Sequence, residues 1–223
     1  MDRVPGYEPG GQRFKSSLVR FFLSGRRNMG SLVGKQAPLF SGKAVVRGEE
    51  KVLSLADFRG KYVVLFFYPK DFTYVCPTEL HAFQDKLTDF EERGAVVIGC
   101  SVDDAETHAR WLTVERNAGG IHGTEYPLLA DDSLEISKMF GVLNPEGTLA
   151  LRATFLIDKQ GVVRHAVVND LPLGRSIDEE IRILDSLIFF ENHGMVCPAN
   201  WRSGERGMVP SEEGLKEYFQ TVD

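Results

Sequence analysis

Short runs of hydrophobic residues predict the strands of this protein. A continuous aromatic and β-branched run over 62–68 is typical of a strand that is covered on both faces of a sheet, and the segment 95–101 predicts a second buried strand. A shorter run over 126–130 predicts a third strand. Two further runs, 152–157 and 161–168, are separated only by the polar sequence D-K-Q, so we expect them to pair as a hairpin.

Hydrophobic residues at helical spacing fall between these strands. The clearest series begins at Leu80 and ends at Phe90, and it predicts one helix over 76–93. The sequence S-I-D-E from Ser176 is a capping box that opens another helix. The predicted helices are 76–93, 103–117, 133–140, 176–192 and 212–219. Alternation of strands and helices implies an α/β sandwich in which helices flank a mixed central sheet.

Composition and charge narrow the class of protein. Of the 223 residues, 43% are hydrophobic and 26% are charged, which excludes a collagen, a mucin-like chain and wholesale disorder. This length can bury a sizeable core without disulfide bonds. The net charge is −6, but residues 1–30 carry +4 and the remainder carries −10. Because so acidic a body disfavours non-specific binding to nucleic acid, we expect no nucleic-acid partner.

The chain is predicted to have three parts. Residues 1–30 form a basic arm that we expect to be disordered, residues 31–192 form the globular domain, and residues 193–223 form a C-terminal tail. No apolar run reaches the roughly 18–20 residues that a membrane span needs. The arm also lacks the hydrophobic length of a secretory signal, so we expect a cytoplasmic protein. Two alternatives stand: residues 1–28 direct the protein to an organelle or membrane surface, or translation begins at Met29.

Three cysteines carry the candidate chemistry, and none belongs to a C-x-x-C pair. A zinc ribbon or a paired dithiol is therefore disfavoured, and the histidines lack metal-binding spacing, so we expect neither a metal nor an organic cofactor. Cys76 stands in the first predicted turn of a helix, after a buried strand and a loop. Free N–H groups and the positive end of the helix dipole favour an anion there, which makes Cys76 a candidate nucleophile. An inert core cysteine is the alternative.

The residues around Cys76 resemble those of a known family. The string P-K-D-F-T-Y-V-C-P-T-E over 69–79 matches the peroxiredoxin pattern P-x-x-x-T-x-x-C, extended to F-T-x-V-C-P-T-E. Three further motifs occur in the family's order, namely R-A-T-F-L-I-D from 152, N-D-L-P-L-G-R-S from 169 and V-C-P-A-N-W from 196. The chain resembles a typical two-cysteine peroxiredoxin over nearly all of 31–223. This implies a thioredoxin-like fold and the reduction of hydrogen peroxide and alkyl hydroperoxides.

The resemblance implies that Cys76 is the peroxidatic cysteine, and residue chemistry indicates which groups assist it. A thiolate that attacks a peroxide bond needs partners that orient both oxygens and stabilise the departing charge. The Thr73 hydroxyl is expected beside the sulfur, and Pro69 is expected to shield it. Arg152 supplies the cation. Without the motif, Arg152 would be interpreted as a surface arginine at the end of a strand.

Two further residues are expected to orient Arg152. In the family, the positions that match Glu79 and Arg175 join a salt-bridged network with the catalytic arginine. The alternative for Glu79 is a favourable acid in a first helical turn. His81 and His108 lie on predicted helices, and nothing in the sequence brings them near enough to act as a general base, so surface or packing roles are expected.

The second step needs another thiol, because a sulfenic acid at Cys76 otherwise oxidises further. The resemblance implies that Cys197 of a partner subunit attacks this sulfenate and forms an intermolecular disulfide, which a thioredoxin-like dithiol then reduces. It also implies a homodimer and a decamer built from dimers. Cys100 falls within a buried strand and is interpreted as a small core residue.

Sensitivity to overoxidation depends on two motifs of the family. The C-terminal Tyr218-Phe219 matches the motif that packs over the active-site helix and slows its unwinding. The companion G-G-L-G motif occurs here as G-G-I-H-G over 119–123, with one inserted residue. We therefore expect intermediate sensitivity.

Two other functions compete with peroxidase activity. The same cysteine chemistry serves a holdase chaperone or a peroxide sensor, in which oxidation changes assembly and the peroxidase rate is secondary. A disulfide oxidoreductase of the thioredoxin type is a third reading. It is weakened because Glu79 stands where the second cysteine of C-x-x-C would be.

Overall fold

A computed structural model describes residues 30–221, and these residues contain one mixed sheet of seven strands. The strands are β1 (Ser41–Val46), β2 (Glu49–Ser54), β3 (Tyr62–Phe67), β4 (Ala95–Ser101), β5 (Leu128–Ala130), β6 (Arg152–Ile157) and β7 (Val163–Asn169). Their order across the sheet is β2-β1-β5-β4-β3-β6-β7. The central strands β3, β4 and β5 are parallel, and the outer pairs are antiparallel. The predicted mixed sheet and the β6–β7 hairpin are confirmed.

The same residues contain six α-helices. They are α1 (Cys76–Asp85), α2 (Leu87–Glu92), α3 (Ala105–Leu112), α4 (Glu135–Phe140), α5 (Ile177–His193) and α6 (Glu212–Phe219). The predicted bounds of α6 are confirmed, and α5 opens as predicted, with the Ser176 hydroxyl accepting a hydrogen bond from the backbone N–H of Glu179. Helices α4 and α5 each end at a glycine in the left-handed conformation. Glycine adopts this conformation without a steric penalty because it has no side chain.

The core lies in two layers, one on each face of the sheet. All six residues of β3 are buried, and alternate residues face opposite layers. One layer contains Val63, Leu65 and Phe67, and the other contains Val64 and Phe66. Burial on both faces explains why this strand is a continuous hydrophobic run.

Two helix predictions are wrong in their bounds. The single helix expected over 76–93 is broken at Lys86, whose backbone (φ −109°, ψ 7°) leaves the helical region. The break separates α1 from α2 and lets α2 pack against β4. The helix expected over 103–117 ends at Leu112, and a short 3₁₀ turn follows at Arg116–Ala118.

The hairpin β1–β2 is absent from the sequence prediction. Strand β2 lies at the edge of the sheet and carries the charged sequence E-E-K, so its exposed residues do not give a hydrophobic pattern. Strand β1 pairs with β5 on its other side and buries Ala44 and Val45. This hairpin extends the sheet on the side away from β6.

The segment after α5 returns to pack against that helix. Val196 and Met208 form an isolated antiparallel bridge, and the buried Trp201 lies 4.8 Å from the Phe189 ring of α5, measured between ring centroids. The predicted boundary between residues 192 and 193 remains a prediction. The basic arm, apart from Gly30, lies outside the described residues. None of the helices described here is long and apolar enough to cross a membrane.

Candidate active site

Cys76 is the first residue of α1, at the point where the loop that follows β3 turns into the helix. Val75 precedes it as the N-cap and provides no side-chain hydrogen bond, and Pro77 at the second helical position has no N–H. The Cys76 side chain is fully buried. The start of α1 therefore presents its positive end to a sulfur that is shielded from water.

Arg152 opens β6 and points its guanidinium at this sulfur. Its Nη1 lies 3.3 Å from Cys76 Sγ and 2.6 Å from Glu79 Oε2, and its Nε donates to the Leu171 carbonyl at 2.6 Å. The residue is only 4% exposed, so the alternative of a surface arginine is wrong. Burial lowers the pKa of Arg152, but its hydrogen bond and charge interaction with Cys76, followed by Glu79, produce a net rise.

Glu79 joins the two arginines in the first turn of α1. Arg175 Nε donates to Glu79 Oε1 at 2.8 Å and its Nη2 donates to Oε2 at 2.9 Å, while the Arg175 backbone N–H also reaches Oε1 at 3.0 Å. Burial alone would raise the pKa of Glu79. The hydrogen bonds and charge of Arg175, with the charge of Arg152, lower it instead. Glu79 is therefore a carboxylate that holds both cations in place.

Arg175 is held by hydrogen bonds to the sheet as well as to α1. Its Nη1 donates to the carbonyls of Phe67 and Ala153, each at 2.8 Å, and its guanidinium carbon lies 5.2 Å from the centroid of the Phe66 ring. These contacts join the ends of β3 and β6 to the helix that carries Cys76. Two buried cations thus face one carboxylate and one thiol, an arrangement that is charge-balanced when the thiol is ionised.

Thr73 and Pro69 lie in the loop between β3 and α1. The Thr73 hydroxyl donates to the Lys70 carbonyl at 3.0 Å, which leaves its oxygen lone pairs free to accept a hydrogen bond. Thr73 is half-buried and Pro69 is buried. The structure therefore groups Cys76, Arg152, Glu79 and Arg175 by direct contact. Thr73 and Pro69 belong to the loop that precedes them.

A buried polar network anchors this loop, and sequence reasoning missed it. Asp71 accepts from the Tyr68 hydroxyl at 2.8 Å, and its other oxygen lies 2.7 Å from His108 Nδ1 on α3. The Asp71 backbone N–H donates to Asp103 at 2.7 Å. Burial lowers the pKa of His108, but Asp71 raises it above its ordinary value. His108 and His81 are both buried, so the surface role that the sequence left open is wrong for each of them, and His81 Nε2 lies 3.0 Å from the Gly120 carbonyl.

The next residue of the loop has an unusual backbone. Phe72 adopts φ 53°, a left-handed conformation that costs a residue with a side chain about 1 kcal/mol or more. Its ring lies 5.7 Å from the Trp111 ring and beneath the Arg110 guanidinium, at 5.3 Å. The packing against α3 and the Asp71 network together hold the loop in this conformation.

The other two cysteines have different surroundings. Cys100 is fully buried in β4, and burial, with the nearby charge of Asp131, raises the pKa of its thiol well above the ordinary value. Cys197 is half-buried, and its Sγ lies 3.5 Å from the Ser186 carbonyl of α5. Burial raises its pKa, against the effects of Ser186 and Arg182. The described residues contain no group of three or more His, Cys, Asp or Glu side chains that could hold a metal ion.

Comparison with known proteins gives consistent matches. A family model described as the AhpC/TSA family matches residues 33–166, and one described as the C-terminal domain of 1-Cys peroxiredoxin matches residues 187–221. A thioredoxin peroxidase of Echinococcus granulosus is 49% identical over 193 residues, which are 86% of this chain and 100% of that protein. The human mitochondrial thioredoxin-dependent peroxide reductase is 46% identical over 208 residues, covering 93% of this chain and 81% of that protein.

The fold also matches a solved structure. The crystal structure of reduced Plasmodium vivax 2-Cys peroxiredoxin superposes with a TM-score of 0.84 at 44% identity, covering 86% of this chain and 100% of that chain. The two family models together include the start of α1 and the C-terminal segment with Cys197.

Proposed function

The chain belongs to the peroxiredoxins of the AhpC/TSA family and is a thiol-dependent peroxidase, and on that premise we propose that Cys76 is its peroxidatic cysteine. The thioredoxin-like fold expected from the sequence is confirmed. The observation that carries the assignment of Cys76 is its contact with Arg152, whose Nη1 lies 3.3 Å from the sulfur at the start of a helix. A buried thiolate next to a fixed cation is suited to attack an electrophilic oxygen.

The proposed first step is a displacement at the peroxide bond. The Cys76 thiolate forms a sulfur–oxygen bond to one peroxide oxygen, the oxygen–oxygen bond breaks, and the other oxygen leaves with the electron pair and takes up a proton. The sulfur is oxidised to a sulfenic acid, and the peroxide is reduced to an alcohol or to water. Arg152 holds the peroxide and stabilises the leaving charge, since it has a fixed position and a permanent charge.

The neighbouring residues have supporting roles in this proposal. Glu79 and Arg175 orient Arg152, because Glu79 binds both guanidinium groups. The free lone pairs of the Thr73 hydroxyl accept a hydrogen bond from the peroxide. Pro69 keeps water from the sulfur and shapes the loop. Hydrogen peroxide and small alkyl hydroperoxides suit a sulfur that is completely enclosed in the reduced structure.

We also propose that Cys197 of a partner subunit resolves the sulfenic acid. Its thiol attacks the Cys76 sulfur, and water leaves as the disulfide forms. Because the sulfur of Cys76 is fully buried, the first turn of α1 has to unwind, and the segment containing Cys197 has to leave its place beside Ser186. A homodimer, and a decamer built from dimers, would provide the two cysteines.

The reductant and the location of the protein are proposed as well. A relative that is named thioredoxin peroxidase supports a thioredoxin-like dithiol as the reductant. We retain cytoplasmic location as the proposal, with organelle targeting by residues 1–28 as its alternative, because one relative is named mitochondrial. A fluorescent fusion of the full chain, compared with a fusion that begins at Met29, separates the two. The three-part division at residues 30 and 192 also remains a proposal.

Intermediate sensitivity to overoxidation remains part of the proposal. The segment with Tyr218 and Phe219 forms the end of α6, where their rings meet edge to face at 5.8 Å. Intact mass after treatment with excess peroxide tests this point, and absence of a sulfinic acid would reject slow unwinding.

Two experiments test the enzymatic proposal. Peroxide consumption with thioredoxin and its reductase is expected to stop in Cys76→Ser, and a wild-type rate in that variant would reject Cys76. Non-reducing electrophoresis after peroxide is expected to show a covalent dimer in wild type and not in Cys76→Ser or Cys197→Ser. A dimer that persists without Cys197 would point to Cys100. The chaperone and sensor alternative is not favoured, since the relatives are named for peroxide reduction.

A further inference from the structure

The segment that carries Cys197 makes few polar contacts with the rest of the fold. This resolving segment covers residues 194–211, between the end of α5 and the start of α6. Its packing on α5 is apolar: Trp201 lies on the Phe189 ring, and Gly207 comes so close to that ring that a side chain there would collide with it. Apart from the backbone bond that ends α5, only two hydrogen bonds in the described part of the chain join it to the preceding domain.

Arg182 of α5 provides the stronger of these two bonds. Its Nη1 donates to the Trp201 carbonyl at 3.0 Å, whereas the other bond runs from the Cys197 thiol, a weak donor, to the Ser186 carbonyl at 3.5 Å. A bond from a guanidinium is charge-assisted, and the Arg182 side chain is only 21% exposed. Within residues 30–193, Arg182 is the one charged side chain that is hydrogen-bonded to the resolving segment.

Glu179 fixes the direction of this guanidinium. It lies three residues before Arg182 on α5, and its carboxylate accepts from Arg182 Nε at 2.6 Å and from Nη2 at 2.7 Å. This bidentate pair occupies one edge of the planar group and leaves Nη1 for the Trp201 carbonyl. A lysine could not serve both partners in the same way, because its ammonium has no planar fork.

The bond from Arg182 reaches the turn that follows Cys197. The Trp201 N–H donates to the Pro198 carbonyl at 3.2 Å, so residues 198–201 form a turn directly after this cysteine. Ser186 lies one helical turn after Arg182, and its hydroxyl donates to the Arg182 carbonyl at 2.8 Å. The two bonds to α5 therefore hold the two ends of the stretch 197–201. When the Arg182 bond breaks, only the weak thiol bond remains.

We propose that Arg182 is a positioning residue that holds the resolving segment against α5 and so limits the rate at which Cys197 reaches an oxidised Cys76. This inference rests on the roles proposed for the two cysteines. In the step concerned, the Cys197 sulfur bonds to the Cys76 sulfur, the sulfur–oxygen bond of the sulfenic acid breaks, and the oxygen leaves as water with the thiol proton. A slow release of Cys197 prolongs the life of the sulfenic acid and favours its further oxidation.

Arg182 also affects the Cys197 thiol through its charge, and this effect has the opposite sign. Burial raises the pKa of Cys197, while the hydrogen bond to Ser186 and then the charge of Arg182 oppose the rise. If the charge were the whole role of Arg182, its removal would make the Cys197 thiol less reactive. If Arg182 holds the segment in place, its removal makes the thiol more accessible and more reactive. The two roles therefore predict opposite changes in the rate of Cys197 modification.

The first test measures this rate in the reduced protein, with Cys76→Ser in every sample so that the peroxidatic cysteine takes no part. Arg182→Met keeps the apolar stem of the side chain and removes the charged donor. Modification of Cys197 by iodoacetamide should become about tenfold faster, because a hydrogen bond from a charged group shifts the opening equilibrium by about this factor or more. Mass spectrometry locates the adduct, and the buried Cys100 reports unfolding of the whole domain.

Arg206→Met is the matched control. Arg206 is hydrogen-bonded to Glu217 and Thr221 of the C-terminal region and to no residue of α5 in the described chain, so its replacement should leave the rate unchanged. Arg182→Lys keeps the charge without the fork, and its rate should lie between wild type and Arg182→Met. An unchanged or slower rate in Arg182→Met would overturn the proposal, and so would an equal acceleration at Cys100.

A second measurement follows the reaction in chains that retain Cys76. After an equimolar amount of hydrogen peroxide, Arg182→Met should form the covalent dimer about tenfold faster than wild type, and it should accumulate less sulfinic acid under excess peroxide. The rate constant for the first attack should not change, because Arg182 is hydrogen-bonded neither to Cys76 nor to Arg152. Dimer formation at the wild-type rate would overturn the proposal. Failure of the function proposed for Cys76 would appear as absence of the dimer in wild type, and it would leave the rates of Cys197 modification unchanged.

Discussion

Arg152 Nη1 lies 3.3 Å from Cys76 Sγ, although the two residues are 76 positions apart in the sequence. The contact joins the first residue of β6 to the first residue of α1, so it depends on the sheet that fixes the two elements relative to each other. A cation on a strand moves less than one on a loop, and its attraction for the thiolate is therefore present before the peroxide arrives.

Replacement of Arg152 tests this preorganisation. Arg152→Lys keeps the charge but loses the planar fork that reaches Leu171, Glu79 and the sulfur together. We expect the second-order rate constant for hydrogen peroxide to fall by about 10²-fold or more. Stopped-flow measurement of peroxide reduction gives this constant. Arg47→Lys, an exposed arginine paired with Glu125, is the control and should leave it unchanged; an equal loss in both variants would contradict the argument.

Removal of the charge of Glu79 should destabilise the fold as well as the site. Glu79→Gln leaves two buried arginines without their carboxylate, at a cost of about 3–5 kcal/mol in the free energy of unfolding. The lowered pKa of Glu79 means that its contribution is present above the unfolded pKa of about 4.5 and is lost as pH falls through the folded value. Urea unfolding near pH 7 and near pH 4 measures both effects. Equal stability of variant and wild type near pH 7 would refute the prediction.

For Glu180, the dependence of stability on pH has the opposite sign to that expected for Glu79. Its pKa rises from 4.5 to about 7 on folding, so the folded state binds the proton more tightly and loses stability, relative to a neutral residue, as pH rises between these values. We expect the advantage of Glu180→Gln over wild type to grow by roughly 3 kcal/mol between about pH 4.5 and about pH 8. Urea unfolding at both values, with Asp178→Asn alongside, gives the difference. An advantage that does not change with pH would show that Glu180 is not the titrating group.

His108 should matter although it is not hydrogen-bonded to the Cys76 sulfur. His108→Ala leaves the Asp71 carboxylate buried without its imidazole partner, which should cost about 3 kcal/mol or more of stability. The loop over residues 69–75 should then exchange its amide hydrogens faster, and peroxide reduction should slow. Hydrogen exchange with mass spectrometry follows the loop directly. His122→Ala removes an exposed imidazole 3.8 Å from Glu115 and is the control; unchanged exchange of the loop in His108→Ala would contradict the anchoring role.

The sequence was most informative where local pattern and chemistry agreed. The buried strands, the hairpin from Arg152 and the start of α1 at Cys76 follow from hydrophobic runs and turn residues. The link between His108 and Asp71 could not be predicted, because it joins residues 37 positions apart through the packing of α3 on the loop. The burial of Glu180 could not be predicted for a different reason. It follows Asp178 and Glu179 in an acidic first turn, where acids are favourable on the surface, and only the fold shows that the third acid faces inward.

The break at Lys86 limits how much of the molecule the proposed disulfide disturbs. Helix α1 ends at Asp85, and α2 packs separately on β4. Unwinding that begins at Cys76 can therefore be confined to the ten residues of α1. Val75 gives the N-terminus of that helix no side-chain cap, which lowers the free energy of fraying at that end. In the proposed cycle, the change between a closed and an open thiol would therefore be a small local equilibrium, while the rest of the fold stays folded.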